Sequence, residues 1–251
     1  MAEQTSDEGD QYAHIGEAFQ RTVPKLLLRE YLLNPAFLTA VGNVDGLSCL
    51  DLACGEGYYT RMLRTAGARR VVGVDISQKM IDLAKAEEQK SHQGIAYLKS
   101  DVTDLPNLGE FDLVSAVFLL HYAKSKDELA AMCRAIAEHT AASGKFVTIN
   151  TNPDFPIRRD HKYSFSRVAD EPLHEGSVLT LSHYDGDTPR YSFDFYHWSK
   201  ETYETALHQA GFSSVAWQVP QVSADALSEF GDEFWQDYRE HPNHSVIICR
   251  K

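Results

Sequence analysis

From residue 48 onward the chain alternates short apolar runs with longer amphipathic stretches, and that rhythm predicts its elements. Runs at 48–53, 70–75, 95–99, 111–117 and 144–150 read as strands, while 57–66, 77–90 and 126–141 carry apolar residues at helical spacing. Short apolar strands separated by helices are β-α-β units, so the expected core is a doubly wound α/β fold, a largely parallel sheet covered on both faces. After Asn150 the rhythm changes. Residues 151–198 are rich in aromatic and polar side chains and hold three strand-like pieces, "YSFSRV", "SVLTLSHY" and "RYSFDFYHW", joined by turns such as Asp185-Gly186-Asp187. These predict an antiparallel insertion laid over the sheet. The α/β pattern resumes with a helix from Lys200 to Ala210, stopped by Gly211, then a strand at 213–219, two short helices within 223–239 and a last strand, "HSVIICRK". Ahead of the first strand, "YAHIGEAFQ" and "VPKLLLREYLLNPAFLTAV" predict two helices, the second with Thr22 as N-cap and Pro24 in its first turn.

Composition narrows the function classes. At 251 residues and 43% hydrophobic content the chain can bury a large core, and one domain over 1–251 is expected. Its 36 acidic against 24 basic residues give a formal charge of −12 without any Lys/Arg-rich tract, which opposes attraction to nucleic acid or to an anionic membrane. Four scattered cysteines without a C-x-x-C pair, and a start, "MAEQTSDEGDQ", lacking basic and apolar signal regions, point to a reduced, cytoplasmic protein. No apolar run approaches the ~18 residues of a membrane span. Among the eleven histidines only His241 and His244 lie close together, and a turn before the last strand explains them, so no metal is expected.

The chemistry begins at "CLDLACGEGYYT", residues 49–60, where the first strand runs through small residues into a helix. Such a turn lets backbone N–H groups and the helix dipole meet an anionic or polar ligand. Gly55 and Gly57 lack the third glycine of the dinucleotide fingerprint, which argues against a nicotinamide oxidoreductase. The spacing reads Asp-x-Ala-x-Gly-x-Gly, and it resembles motif I of the class I S-adenosylmethionine-dependent methyltransferases. The likeness covers roughly 45–150 and, in strand order, 199–251 as well. It implies a seven-stranded sheet with S-adenosylmethionine as cofactor, held by Asp51, Ala53, Cys54, Gly55 and Gly57 at the turn. Asp75, twenty positions beyond Gly55, ends the second strand where a carboxylate accepts from the ribose hydroxyls, with Ile76 packing on adenine and Met80 beside it. In "KSDV", Asp101 would accept from the adenine amino group and Val102 would offer its backbone N–H, while Phe118, at the end of "FDLVSAVFLLHYA", lines the cofactor.

A closer likeness lies in "QYAHIGEAF", "NPDF" and "FDFYHWSKETYETALHQAGFSSVAWQVP", which resemble the toxoflavin-type azapteridine N-methyltransferases of bacterial secondary metabolism. By that resemblance residues 12–45 form a helical lid and 151–198 cover the substrate, a small molecule expected to be a planar nitrogen heterocycle. The insertion departs from the pattern across 156–190, so the substrate itself does not carry over. Methyl transfer is an in-line displacement that needs alignment and exclusion of water more than covalent chemistry, and a neutral ring nitrogen needs no base whereas a hydroxyl benefits from one. His121, after the fourth strand, is a substrate hydrogen-bonder, a base, or a helix-start residue touching backbone; Tyr122 beside it points into the pocket or outward. Tyr12 and Phe19 either close the site or dock an amphipathic helix. Asn150, Asn152 and Phe155 line the substrate pocket or serve an Asn-Pro turn; "NTNPDF" follows the fifth strand, not the fourth, which rejects a DNA-methylating reading. Tyr196 and Trp198 share one strand face suited to a flat substrate or to core packing, His197 takes the other face, and His183 stays ambiguous. Cys54 reads as a small space-filler. Two rivals remain at this point: an O-methyltransferase with a pocket histidine as base, and a cofactor-binding protein that does not methylate.

Overall fold

The computed structural model describes residues 27–157 and 160–251. Tyr12, Phe19, Thr22 and the first of the two expected N-terminal helices lie outside them. The described chain opens with a π-helical turn, Arg29–Leu33, that runs directly into α1 (Asn34–Val41). A seven-stranded sheet follows, built from β1 (Ser48–Leu52), β2 (Arg70–Asp75), β3 (Ala96–Lys99), β4 (Phe111–Val117), β5 (Thr140–Thr151), β9 (Ser214–Gln218) and β10 (His244–Arg250). Its order is β3-β2-β1-β4-β5-β10-β9, with β10 antiparallel to both neighbours and the other pairs parallel. The helices between strands are α2 (Tyr58–Thr65), α3 (Gln78–Ser91), α4 (Lys126–Glu138), α5 (Lys200–Gln209), α6 (Ala224–Phe230) and α7 (Asp232–Glu240).

Alternation within each strand sends neighbouring residues to opposite faces, and both faces are buried, which is why the strands read as unbroken apolar runs. Leu50, Leu52, Val72, Val74, Val114 and Phe146 pack toward α4 and α5, through Leu129, Ile136, Tyr203 and Leu207. Cys49, Val71, Leu113 and Val147 pack on the other side toward Phe37 of α1, Leu63 of α2 and Ile81 of α3. Helix α4 stops three residues short of the expected 141. Thr140 Oγ1 donates to the Ile136 carbonyl at 2.7 Å and His139 Nδ1 bonds the Ala135 carbonyl at 2.8 Å, so two side chains satisfy the end of the helix and release the chain into a longer β5.

The insertion forms a second, antiparallel sheet of β6 (Phe165–Val168), β7 (Val178–Asp185) and β8 (Thr188–Tyr196). Its register aligns Phe165 with His183 and Tyr191, Arg167 with Leu181 and Phe193, and Leu179 with Phe195, all on one face. The opposite face carries the pairs Thr180–Asp194 and Ser182–Ser192, each hydrogen-bonded at 2.7 Å and exposed. The sheet is therefore two-sided, aromatic inward and polar outward. Among the described residues no helix is long and apolar enough to cross a membrane.

Candidate active site

β1 lies where the strand order reverses, between β2 and β4, and open α/β sheets bind ligands at the carboxyl ends of the strands at this point. Both strands flanking the switch end on a non-glycine residue in left-handed backbone: Ala53 after β1 with φ 52°, and Phe118 after β4 with φ 64°. Each costs about 1–2 kcal/mol, a strain that clusters at functional sites. Between the strand tips and the inward face of the second sheet lies a cavity of about 350 Å³.

One end of the cavity is polar. The turn of Ala53, Cys54 and Gly55 forms its floor. Asp75 holds this turn in place: one carboxylate oxygen accepts from the Gly55 N–H at 2.8 Å and the other from the Ser77 N–H at 2.9 Å, where Ser77 caps α3. Burial, reinforced by Asp75, Asp51 and Glu56, keeps the Cys54 thiol protonated, well above its usual range. Ile76, next along, is 43% exposed although large and apolar, and Met80 and Val102 close the same corner. Asp101 uses one oxygen on the Thr103 N–H and hydroxyl, both at 2.8 Å, leaving the other oxygen at the cavity. Opposite the turn, Arg29 enters from the π-helical segment, only 7% exposed. Its guanidinium lies 3.5 Å over the Tyr58 ring and 3.5 Å from Glu56, yet Nε and Nη1 make no hydrogen bond among the described residues.

The other end is aromatic. Phe118, Tyr122, Phe165, Phe193, Phe195 and Tyr196 wall it, and His121, His183 and His244 join them. His121 is 1% exposed, with ring contacts to Phe118, Tyr122 and Phe195 at 4.6–5.8 Å between centroids and no hydrogen bond to either ring nitrogen among the described residues. Burial lowers its pKa to about 3 and that of His183 to about 4; burial, Arg167 and the other two imidazoles lower His244 to about 3. All three are neutral imidazoles at neutral pH. The described residues contain no cluster of three His, Cys, Asp or Glu able to hold a metal ion.

Not every residue expected at the site reaches it. Asp51 is 1% exposed and outside the cavity, because its two oxygens are taken by the Thr60 hydroxyl at 2.6 Å and the Ser115 hydroxyl at 2.7 Å, tying β1 to α2 and β4. Gly57 caps α2 with φ 82°, and a Cβ there would run into Tyr97 Oη and lie 2.8 Å from its Cζ; it serves packing, not the cavity. Asn150 bonds Thr148 at 3.0 Å in the core, and Asn152 bonds the Pro242 carbonyl at 2.8 Å and so shapes a turn. Phe155 lies 4.5 Å under the Arg167 guanidinium. Trp198 leaves the strand alternation, since β8 ends at Tyr196, and its indole donates to the Ala123 carbonyl at 2.9 Å within the core. Tyr12 lies outside the described residues. Conversely, Arg29, Glu56, Phe165, Phe193, Phe195 and His244 reach the cavity without having been expected there. Arg29 had a signal: it stands three and four positions before Leu32 and Leu33, a cation on the apolar face of its helix.

Residues 49–144 match a family model described as methyltransferase domain. The N-demethylindolmycin N-methyltransferase of Streptomyces griseus is 30% identical over 184 residues, covering 70% of this chain and 74% of its own. The chain belongs to the S-adenosylmethionine-dependent methyltransferases. An uncharacterized protein of Haemophilus influenzae is 26% identical to this methyltransferase over 236 residues, 89% of each chain. A putative S-adenosylmethionine dependent methyltransferase from Listeria monocytogenes, 23% identical, shares the fold with a TM-score of 0.64 over 86% of this chain and 95% of its own. The methyltransferase cavity fits this cofactor. S-adenosylmethionine presents a carboxylate, a ribose diol and an adenine, and the polar end offers a buried guanidinium with two nitrogens unpartnered among the described residues, a carboxylate at the tip of β2 and another beyond β3. When bound, it supplies a methyl group on a positively charged sulfur.

Proposed function

We propose that this methyltransferase carries the methyl group to a ring nitrogen of a small planar heterocycle of secondary metabolism, held in the aromatic end of the cavity. Arg29 takes the cofactor carboxylate, the Gly55 turn its amino-acid portion, Asp75 the ribose and Asp101 the adenine amino group, with Ile76 as the adenine platform. That order brings the sulfur to Phe118 and the methyl group toward His121. The observation that carries the reading is His121: a buried imidazole, without partners among the described residues, enclosed by rings at the end of β4. A pKa of about 3 makes it a weak base at neutral pH, which favours a nitrogen lone pair over a hydroxyl that must be deprotonated by histidine. It instead orients a ring edge by hydrogen bonding. The likeness to azapteridine N-methyltransferases and the N-methyltransferase among the relatives support the same choice of atom. Residues 151–198 act as the substrate wall; Tyr12 and the start of the expected lid lie outside the described residues.

Two measurements test this. Calorimetry with S-adenosylhomocysteine should show binding that Asp75→Ala weakens roughly 10- to 100-fold, as loss of charge-assisted hydrogen bonds at ~1.5–3 kcal/mol each requires. Incubation of planar heterocycles with methyl-labelled cofactor, followed by mass spectrometry, should give an N-methylated product. Unchanged affinity in Asp75→Ala, or label found only on oxygen, would contradict the reading.

A further inference from the structure

Behind the aromatic wall lies a charge that no site described so far uses. Arg167 is 3% exposed and sits on the inward face of β6, two residues from Phe165 and in register with Leu181 and Phe193, which both line the cavity. Arg167 does not line the cavity itself; it lines a small separate pocket together with Thr151, Phe195 and Tyr196, which also form part of the cavity wall. Its Nη2 donates to the carbonyls of Phe155 and Pro156, and its Nε has no partner among the described residues. No carboxylate pairs with it among the described residues; Asp154, nearby in the chain, is bonded to Lys200 at 2.5 Å. A buried charge without a counter-ion is costly, and carbonyl dipoles compensate it only in part. The titratable groups that share its pocket or feel its charge are His244 on β10, Tyr196 at the end of β8, His197 just beyond it and Tyr203 on α5. None of these supplies a negative charge at neutral pH. Glu175 and Asp154 act on His197 from the solvent side.

We infer that Arg167 is a positioning charge that selects a flat ring N–H acid as methyl acceptor and holds it in its deprotonated form, excluding ammonium-bearing amines. The inference rests on the proposed methyl transfer and deepens it by naming the class of acceptor. The balance is simple. The ring N–H gives its proton to solvent on binding, and the resulting nitrogen lone pair attacks the methyl carbon. The carbon–sulfur bond then breaks with its electron pair going to sulfur, leaving a neutral N-methyl product and a neutral thioether. A step that joins an anion to a sulfonium destroys charge, so an apolar, water-poor chamber favours it. Arg167 thereby does what the three weakly basic imidazoles cannot, since it promotes loss of the acceptor proton without receiving it.

The sign of one shift tests this. An apolar pocket without a nearby cation raises the pKa of a bound N–H acid, whereas an uncompensated cation lowers it. The probe is 5-nitrobenzotriazole, a planar ring N–H acid whose ultraviolet spectrum reports ionisation, titrated with the full chain saturated in S-adenosylhomocysteine. Binding should raise the probe's ionisation constant at least about tenfold, one pKa unit. Arg167→Met should abolish that rise and Arg167→Lys should retain most of it. A bound probe with a pKa unchanged or raised, a probe that fails to bind, or an equal shift in Arg167→Met would overturn the inference. Because the direction in the unaltered protein is itself decisive, a variant that fails to fold does not rescue it. Calorimetry of S-adenosylhomocysteine alone separates the two levels: absent cofactor binding defeats the methyl-transfer reading, while intact binding with the wrong probe shift defeats only the role of Arg167.

Discussion

Replacing Asp51 by Asn tests whether the carboxylate of motif I is a structural tie. Burial raises the Asp51 carboxyl from 3.8 to about 6, against the pull of its bonds from Thr60 and Ser115. That difference corresponds to about 3 kcal/mol of ionisation free energy. The sign follows from proton binding. Between the two values the folded protein holds more protons at this position than the unfolded chain, so the stability contribution is full below 3.8 and is lost as pH rises through 6. Asn keeps a carbonyl to accept from one hydroxyl and an amide to donate to the other, while removing the charge. Asp51→Asn is therefore expected to be as stable as the parent at neutral pH or up to about 3 kcal/mol more so, and to lose that advantage toward acid. His121 and His244 act in the opposite sense. Their folded values of about 3 lie below the ordinary 6.5, so the unfolded chain binds protons first and stability falls with pH below 6.5. The parent curve alone hides Asp51, and the difference between parent and variant isolates it. Urea unfolding followed by tryptophan fluorescence from about pH 4.5 to about pH 7.5 gives that difference. A difference independent of pH, or a variant weakened by about 3–5 kcal/mol at neutral pH as when one partner is cut from a buried ionic pair, would refute the reasoning.

Further outcomes follow from the same geometry. Arg29→Gln should weaken S-adenosylhomocysteine roughly 10- to 100-fold in calorimetry, at ~1.5–3 kcal/mol for lost charge-assisted bonds, and leave adenosine affinity nearly unchanged, because only the former carries a carboxylate. Gly57→Ala should lose about 1–2 kcal/mol to left-handed backbone and about 1–3 more to overpacking against Tyr97. Urea midpoints should show Tyr97→Ala restoring the packing part in the double variant. The His121 Cε1 proton should show no titration above about pH 5 by NMR, and His121→Phe should reduce the loss of stability below pH 6.5.

The polar end of the cavity was readable because its signals are local. Strand periodicity located β1, β2 and β4, and the small residues after Leu52 marked the turn, so Gly55, Asp75, Ile76 and Asp101, singled out in the sequence, all line the cavity. Asp51 misled for a physical reason: the position is fixed by spacing, but its side chain projects across the sheet to Ser115 and back to Thr60, a direction that spacing does not encode. Arg29 escaped because a lone arginine among leucines ordinarily extends its charged tip to water. Here Glu56 and two tyrosine rings hold it inside. His244 opens the last strand as expected, but the sequence did not show which way it faces; pairing with Thr151 turns it inward. Trp198 was placed with Tyr196 by alternation, which fails as soon as the strand ends.

The aromatic end was harder to read because it depends on register. Residues 165 and 167, 179, 181 and 183, and 191, 193 and 195 become neighbours only once three strands pair, and none of those pairings is local except the β7–β8 hairpin. A slip of one residue would exchange Phe193 and Leu181 for Asp194, Ser182 and Thr180, converting an aromatic chamber into a polar one. If the proposed acceptor site is right, substitutions on the inward face of the second sheet should change the acceptor without touching the turn, Asp75 or Arg29, which lie on other elements. On the proposed reading the two binding tasks fall to separate elements: the strained pair of strand tips would fix the donor, and the separately paired sheet, with one buried cation behind its rings, would choose what receives the methyl group.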